Sequence, residues 1–508
     1  MKIMKKLKYL LAIGAILCST ASCNKFLNVV PIDALSGNNF WQTHTDVESF
    51  ANGIYVRLRS KFGNSILIPA LDMRGNFVGV KNDLDASGNG PMNNLISNNM
   101  RALLSGGGTY ADRLRSVMNW KGWYDIIQAS NILHYEVDNV PATALSQSER
   151  TRYKAEAVFT RNLSYLFICK LYGDAIYYTE AYHQESLART PQVEVMKKCI
   201  DDMISAKNDL PIKVSESSMT GLRPTRASAV ALLMHLNMWA AAWETGDKKP
   251  YYNAVLELAN ELASYTDYKI LPKTVENTKL IFKGKSAENL FGILQDYNYG
   301  ETFDGWSNYS WYFSRYPYRG NMQKVNSHFA YEKEYMEKLY PLSESDNRRT
   351  LWFENYNANN ATFQFKKYIN TYSVGSGSSM TMFSDDSAII FRMSDAILLA
   401  AEAAAELDND ELAKEYLNQV RAAAGASFII SVGRELKDDI YRERCRELIG
   451  EGHYYFDLVR TKRVVNSDFS KSVMSVSNFN SGAWTWPIII SSTEQQANPN
   501  LIGNTYWN

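Results

Sequence analysis

Between residues 392 and 425 the apolar side chains recur at spacings of three and four: Ile397, Ala400, Ala401, Ala404 and Leu407, then Leu412, Ala413, Tyr416, Leu417 and Val420. That period places them on one face of each of two helices. Asp408-Asn409-Asp410 between the two runs supplies a turn and an N-cap, and Gly425 suits a helix C-terminus. An alanine-rich αα-hairpin of roughly 34 residues results, the length of a tetratricopeptide unit, although the full repeat signature is absent. Similar apolar faces run through 120–137, 153–171, 228–243 and 252–264. A hairpin of this kind cannot bury its own face, so the expected fold is mainly α: a tetratricopeptide-like stack of helical hairpins, mainly 40–270 and 388–460.

The pattern changes between 271 and 391, where Gly, Asn, Ser and aromatic residues dominate around the short hydrophobic run 290–294 and the polar stretch 373–387. Long irregular segments in a compact protein are uncommon and often functional. The expectation is a loop-rich second lobe, about 271–387 plus a C-terminal tail 461–508, with little β structure.

The N-terminus reads as an address. Lys2, Lys5, Lys6 and Lys8 precede an apolar run at 10–17, and Ser19, Thr20, Ala21 and Ser22 lead to Cys23. This is a signal peptide's layout over residues 1–22, and its apolar run is too short for a spanning helix. Small residues before a cysteine resemble a lipobox, which implies a lipid anchor on Cys23. Cys18 competes but lies next to the hydrophobic run. Beyond Cys23 only Cys169, Cys199 and Cys445 remain, so a disulfide framework is not expected. Lys plus Arg equal Asp plus Glu at 54 each. No positive field exists to gather nucleic acid.

Aromatic content is high, at 13% with 32 Tyr and 11 Trp. Ten of the 22 residues in 297–318 are aromatic: Tyr297, Tyr299, Phe303, Trp306, Tyr309, Trp311, Tyr312, Phe313, Tyr316 and Tyr318. Gly300, Gly305, Pro317, Asn298 and Asn308 argue for loop over helix. The axial C–H face of a sugar lies flat on such rings, while amides, carboxylates and guanidinium groups take its hydroxyls. The leading candidates are Trp306, Tyr309 and Trp311, with Tyr299, Tyr312, Asp304, Asn308 and Arg315 beside them. The stretch 74–85, with Asn76, Phe77 and Asp83, is a second candidate wall. The bland reading of each ring is an aromatic core.

No HExxH, CxxC, GxSxG or phosphate-binding glycine loop is present, and no cofactor motif. His44, His134, His183, His235, His328 and His453 show no pair at metal-ligand spacing, so no metal site is expected. His235, on an apolar helix face, reads as a hydrogen-bonded core residue. Asp296, Glu301 and Asp304 are the carboxylates a glycoside hydrolase would need near the aromatic run, but sequence proximity does not establish their spacing.

Ordered motifs resemble the SusD/RagB lipoproteins of Bacteroidetes over nearly the whole chain after the signal peptide. They are Trp120, Tyr124, Ile127 and Asn131; Glu156 to Arg161 with Tyr172-Gly173-Asp174; and Pro224-Thr225-Arg226-Ala227. Further on come Arg392, Asp395 and Ala401-Glu402-Ala403; Glu443-Arg444, Glu447 and Glu451-Gly452; and Phe456-Asp457-Leu458, Trp486-Pro487-Ile488 and Asn498-Pro499. Tyr454 stands where an arginine is usual, and Ala175-Ile176 where valine-proline is. The resemblance implies a non-enzymatic outer-membrane lipoprotein, facing the cell exterior, that binds oligosaccharides and delivers them to a SusC-like TonB-dependent transporter. Peptide cargo, or a lid with no ligand site of its own, are the alternatives. Arg392, Asp395, Glu402, Glu443, Arg444 and Glu447 are expected to form ion pairs between helices rather than to touch a ligand.

Overall fold

The computed structural model describes residues 40–80, 86–214, 221–323, 327–357, 362–504 and 506–507. Its helices follow the sequence signals closely. Helix α1, His44–Gly63, starts on a capping box between Thr43 and Asp46. After α2 (Leu67–Met73), α3 (Thr109–Val117) and α4 (Lys121–Glu136) comes α5, Gln147–Tyr172, opened by a second capping box between Ser146 and Glu149. The scaffold continues with α6 (Gln192–Ala206), α7 (Arg226–Trp243) and α8 (Lys249–Ser264), and resumes with α9 (Met393–Glu406), α10 (Asp410–Ala423), α11 (Gly433–Glu447) and α12 (Tyr454–Arg460).

The order of packing is the order of the chain. Helix α1 lies on α4, α4 on α5, α5 on α6, α6 on α7, α7 on α8, α8 on α9, and α9 on α10 and α11. Each hairpin thus covers the face its predecessor leaves open, the logic of a helical-repeat stack. The fold is mainly helical, as the periodicity predicts. Between α9 and α10, Asp408 takes a left-handed φ of 59° and Asn409 caps α10 by accepting from Leu412 N. Gly425, at φ 60°, has no room for a Cβ, which would sit 2.5 Å from the Asn347 side chain.

Helices α8 and α9 pack together although residues 265–392 intervene. That excursion contains most of the β structure, in four two-stranded antiparallel ladders that involve β1 (Val78–Val80), β2 (Asn289–Ile293), β3 (Phe329–Tyr331), β4 (Phe353–Glu354), β5 (Gln364–Phe365), β6 (Thr371–Val374), β7 (Thr381–Ser384) and β8 (Ala388–Arg392). The apolar run at 290–294 forms most of β2, whose five residues are all buried. Its partner is β8, so the excursion leaves and returns to the scaffold through one ladder, with Asn289 opposite Arg392.

At that ladder the motif charges converge. Arg392 is 1% exposed and pairs with Glu288, Glu447 and Glu451 at 2.6, 2.7 and 2.7 Å. Glu447 also binds Lys273 and Arg348, and Glu443 binds Arg348, Arg421 and Arg446. Arg444 holds Asp395 and Asp457, while Arg460 holds Glu402 and Asp457. All six residues expected to form ion pairs do so, five from helices and Arg392 from the end of β8. Tyr454 is buried, its hydroxyl donating to Phe469 O at 2.9 Å.

Candidate ligand-binding site

The aromatic run is held by the C-terminus of α1. The last carbonyls of a helix lack intrahelical donors, and Gly63 O accepts here from both Asp304 N and Ser307 Oγ, each at 2.8 Å. The Phe303 ring lies so close to Gly63 that a Cβ there would meet its Cδ1 at 2.5 Å. Arg59 pairs with Glu301 at 2.9 Å and donates to Thr302 O, and Arg113 on α3 pairs with Asp304 at 2.7 Å.

This anchoring sorts the expected residues. Tyr309 and Tyr312 are 2% and 0% exposed. Tyr309 stacks on Phe313 and its hydroxyl meets that of Tyr331; Tyr312 donates to Trp306 O. Both are core residues, and the expectation that they contact a ligand is corrected. The loop folds back as the short helix Ser310–Phe313, which turns these rings inward. Asn76 is likewise buried, donating to Asp72 O and accepting from Phe77 N. Asp83 and Cys23 lie outside the described residues.

Trp306 and Trp311 are half-buried, 5.6 Å apart and tilted by 43°. The Trp306 ring is engaged by the Arg113 guanidinium and by the edge of Tyr110. Asp304 is committed to Arg113, and Arg315 faces Glu354 at 3.6 Å. Tyr299 is exposed, with Lys285 Nζ 6.0 Å from its ring centroid.

The rings that stay open come together with partners the sequence did not single out. Tyr372 on β6 and Phe383 on β7 are a cross-strand pair, stacked at 5.3 Å, and Tyr297 stacks on Tyr372 at 4.1 Å with 10° between planes. Gly320 and Met382 exchange backbone hydrogen bonds, which ties the aromatic loop to this hairpin. Where loop and hairpin meet, Trp311, Asn308, Arg319, Tyr372 and Phe383 line a crevice of about 20 Å³. Gly305 packs on Trp311, where a Cβ would approach Cε3 to 3.0 Å. The signal for Tyr372 and Phe383 was two aromatics flanking the Gly/Ser-rich segment 375–379, a hairpin pattern inside a stretch read as polar loop. Arg319 is the residue immediately after the aromatic run.

A separate cleft of about 390 Å³, walled by Tyr335, Tyr441 and Phe469, shares none of these residues. The three carboxylates suggested for glycoside hydrolysis are each near a cation: Asp296 lies 3.8 Å from Lys283, Glu301 2.9 Å from Arg59 and Asp304 2.7 Å from Arg113.

The histidines, unpaired in sequence, do meet in space. His235, Asp395 and His453 lie together in the core. His235 Nε2 is 2.6 Å from Asp395 Oδ2, and its Nδ1 is 3.4 Å from Lys170 Nζ, so it is hydrogen-bonded in the core as expected. Burial, with Lys170 alongside, lowers its pKa to about 3. Arg444 already neutralises Asp395. With two cations at hand, the trio is poorly suited to a divalent metal.

The model of the SusD family matches residues 296–507, and a model described as "Starch-binding associating with outer membrane" matches 88–237. A solved SusD homolog from Bacteroides thetaiotaomicron is 35% identical, with a TM-score of 0.82 over 92% of this chain and 100% of its own. The chain belongs to the SusD family. SusD-like protein P25 of Formosa agariphila is 25% identical over 90% of both chains. A laminarin-binding SusD-like protein shares the SusD fold at a TM-score of 0.66 and 17% identity, over 92% of this chain and 100% of its own.

Proposed function

We propose that this SusD-family protein binds a glycan at the outer surface of the outer membrane and delivers it to a SusC-like TonB-dependent transporter, anchored there by a lipid on Cys23. Binding is without catalysis. The observation that carries the reading is the stack Tyr297–Tyr372–Phe383 beside Trp311, whose outer ring Tyr297 is 45% exposed and free to receive a sugar face. Each sugar stacked on a ring is expected to contribute about 1 kcal/mol, by analogy with aromatic pairs. Several must act together along an oligosaccharide. The nearby carboxylates are held in ion pairs, which suits a binder better than an acid catalyst whose proton must be available. The family's glycan-binding members, the laminarin-binding relative among them, support the cargo class.

Calorimetry of the protein against a glycan panel, comparing wild type with a Trp311→Ala, Tyr372→Ala double variant, tests the proposal. Saturable binding lost in the variant supports it. Binding that survives moves the site elsewhere, and binding of peptides but no glycan replaces the cargo.

A further inference from the structure

Arg319 is 4% exposed, yet no carboxylate among the described residues pairs with it. Among the described residues its side chain makes one hydrogen bond, from Nη2 to His328 Nε2 at 2.8 Å, and its buried Nε has no partner. The guanidinium lies over the Trp311 ring at 4.0 Å, a partial compensation for lost hydration. The buried arginines of the motif network (Arg348, Arg392, Arg421, Arg444, Arg460) each have at least one carboxylate partner, and Arg74 and Arg150, buried without one among the described residues, each donate to three oxygen acceptors instead. An uncompensated buried cation is costly.

Arg319 also lines the crevice between the aromatic loop and the β6–β7 hairpin. Its volume of about 20 Å³ exceeds the roughly 10–15 Å³ that holds one water but is far below the roughly 300 Å³ of a whole-ligand pocket. The space suits a single small group, not a sugar ring. Asn308, on the same wall, adds an amide. Tyr372 and Phe383, stacked on each other, complete the lining.

We infer that the glycan is anionic: a sugar ring lies across the mouth of the crevice while its carboxylate or sulfate group enters the crevice and pairs with Arg319. Planar bidentate recognition of such oxyanions is the arrangement guanidinium groups make best. The inference rests on the glycan-binding reading above and names its substrate class. A neutral glycan leaves the guanidinium unpaired, and a cationic one is repelled.

The test is calorimetry with three probes, an oligogalacturonide, a sulfated galacto-oligosaccharide and a neutral laminari-oligosaccharide, against wild type, Arg319→Met and Arg319→Lys. The expected result is that at least one acidic probe binds tenfold or more tighter than the neutral one, more weakly with added NaCl. Arg319→Met abolishes that preference and Arg319→Lys recovers part of it. Which acidic probe binds tells carboxylate from sulfate. Thermal melting supplies the second measurement: removing an unpaired buried charge should leave Arg319→Met at least as stable as wild type, and a large loss of stability would show that Arg319 is structural and overturn the inference. Neutral probes binding as well as acidic ones, with no effect of Arg319→Met, would overturn it while leaving the glycan reading intact. No binding of any probe would overturn both.

Discussion

Arg392 Nη1 lies 2.7 Å from Glu447 Oε1, and both side chains are essentially removed from solvent. The pair joins the last residue of β8, where the chain returns from the lobe, to the end of α11 in the scaffold. Glu288 and Glu451 complete the arginine's coordination from β2's approach and from the turn after α11.

Removing one partner of such a cluster strands the others in a medium that cannot hydrate them. Arg392→Met should destabilise the protein by about 3–5 kcal/mol, because Glu288, Glu447 and Glu451 lose their shared cation together. Denaturant unfolding measures this. A loss below about 1 kcal/mol would show that Lys273, Arg348 and Lys367 carry the carboxylates without it.

His235 predicts the acid limb of stability. Its folded pKa, about 3, lies below the unfolded value of about 6.5. Between these values the unfolded chain binds the extra proton, so the contribution of His235 to stability is full above about pH 6.5 and falls as pH drops, by up to about 1.4 kcal/mol per pH unit. Glu443, held down to about 2 by Arg348, Arg446 and Arg421, adds a further loss only below its unfolded value. In His235→Gln, melting temperature plotted from pH 6.5 to 5 should be flatter than in wild type. An unchanged slope would assign that limb to another group.

Gly63 offers a way to disturb the site from beneath. A Cβ at this position meets the Phe303 ring at 2.5 Å, so the ring or the loop that carries it must shift. Gly63→Ala should lower glycan affinity about tenfold or more by displacing 303–307, while α1 itself gains helix propensity. Unchanged binding would mean that Phe303 swings away without moving Trp311.

The scaffold was legible because a 3.6-residue period, capping boxes and paired motif charges all report local or helix-to-helix constraints. Ile397, Ala401, Leu417 and Val420 are buried where their spacing put them. The site was only half legible. The run 297–318 marked the right loop, but aromatic identity does not tell a ring's direction. Tyr309 and Tyr312 turned inward because Ser310–Phe313 coils into a helical turn, whereas Tyr297 met Tyr372, 75 residues away, on a hairpin whose docking against the loop no local pattern encodes.

That difference between rings yields the sharpest contrast in the molecule. Tyr309 is 2% exposed and packed on Phe313 and Phe365, so Tyr309→Ala should cost about 3–5 kcal/mol of stability through the cavity it leaves. Tyr372 is half-buried on a hairpin at the edge of the lobe, and Tyr372→Ala gives up mainly its stacking, about 1 kcal/mol of stability. Its effect should fall on the ligand instead, with affinity for an oligosaccharide down about fivefold to tenfold, because the exposed Tyr297 loses the ring that holds it in place. Melting curves and calorimetry on the two variants separate the cases. If Tyr372→Ala proves as destabilising as Tyr309→Ala and leaves binding untouched, the exposed stack is a structural ladder and the glycan lies elsewhere on the lobe.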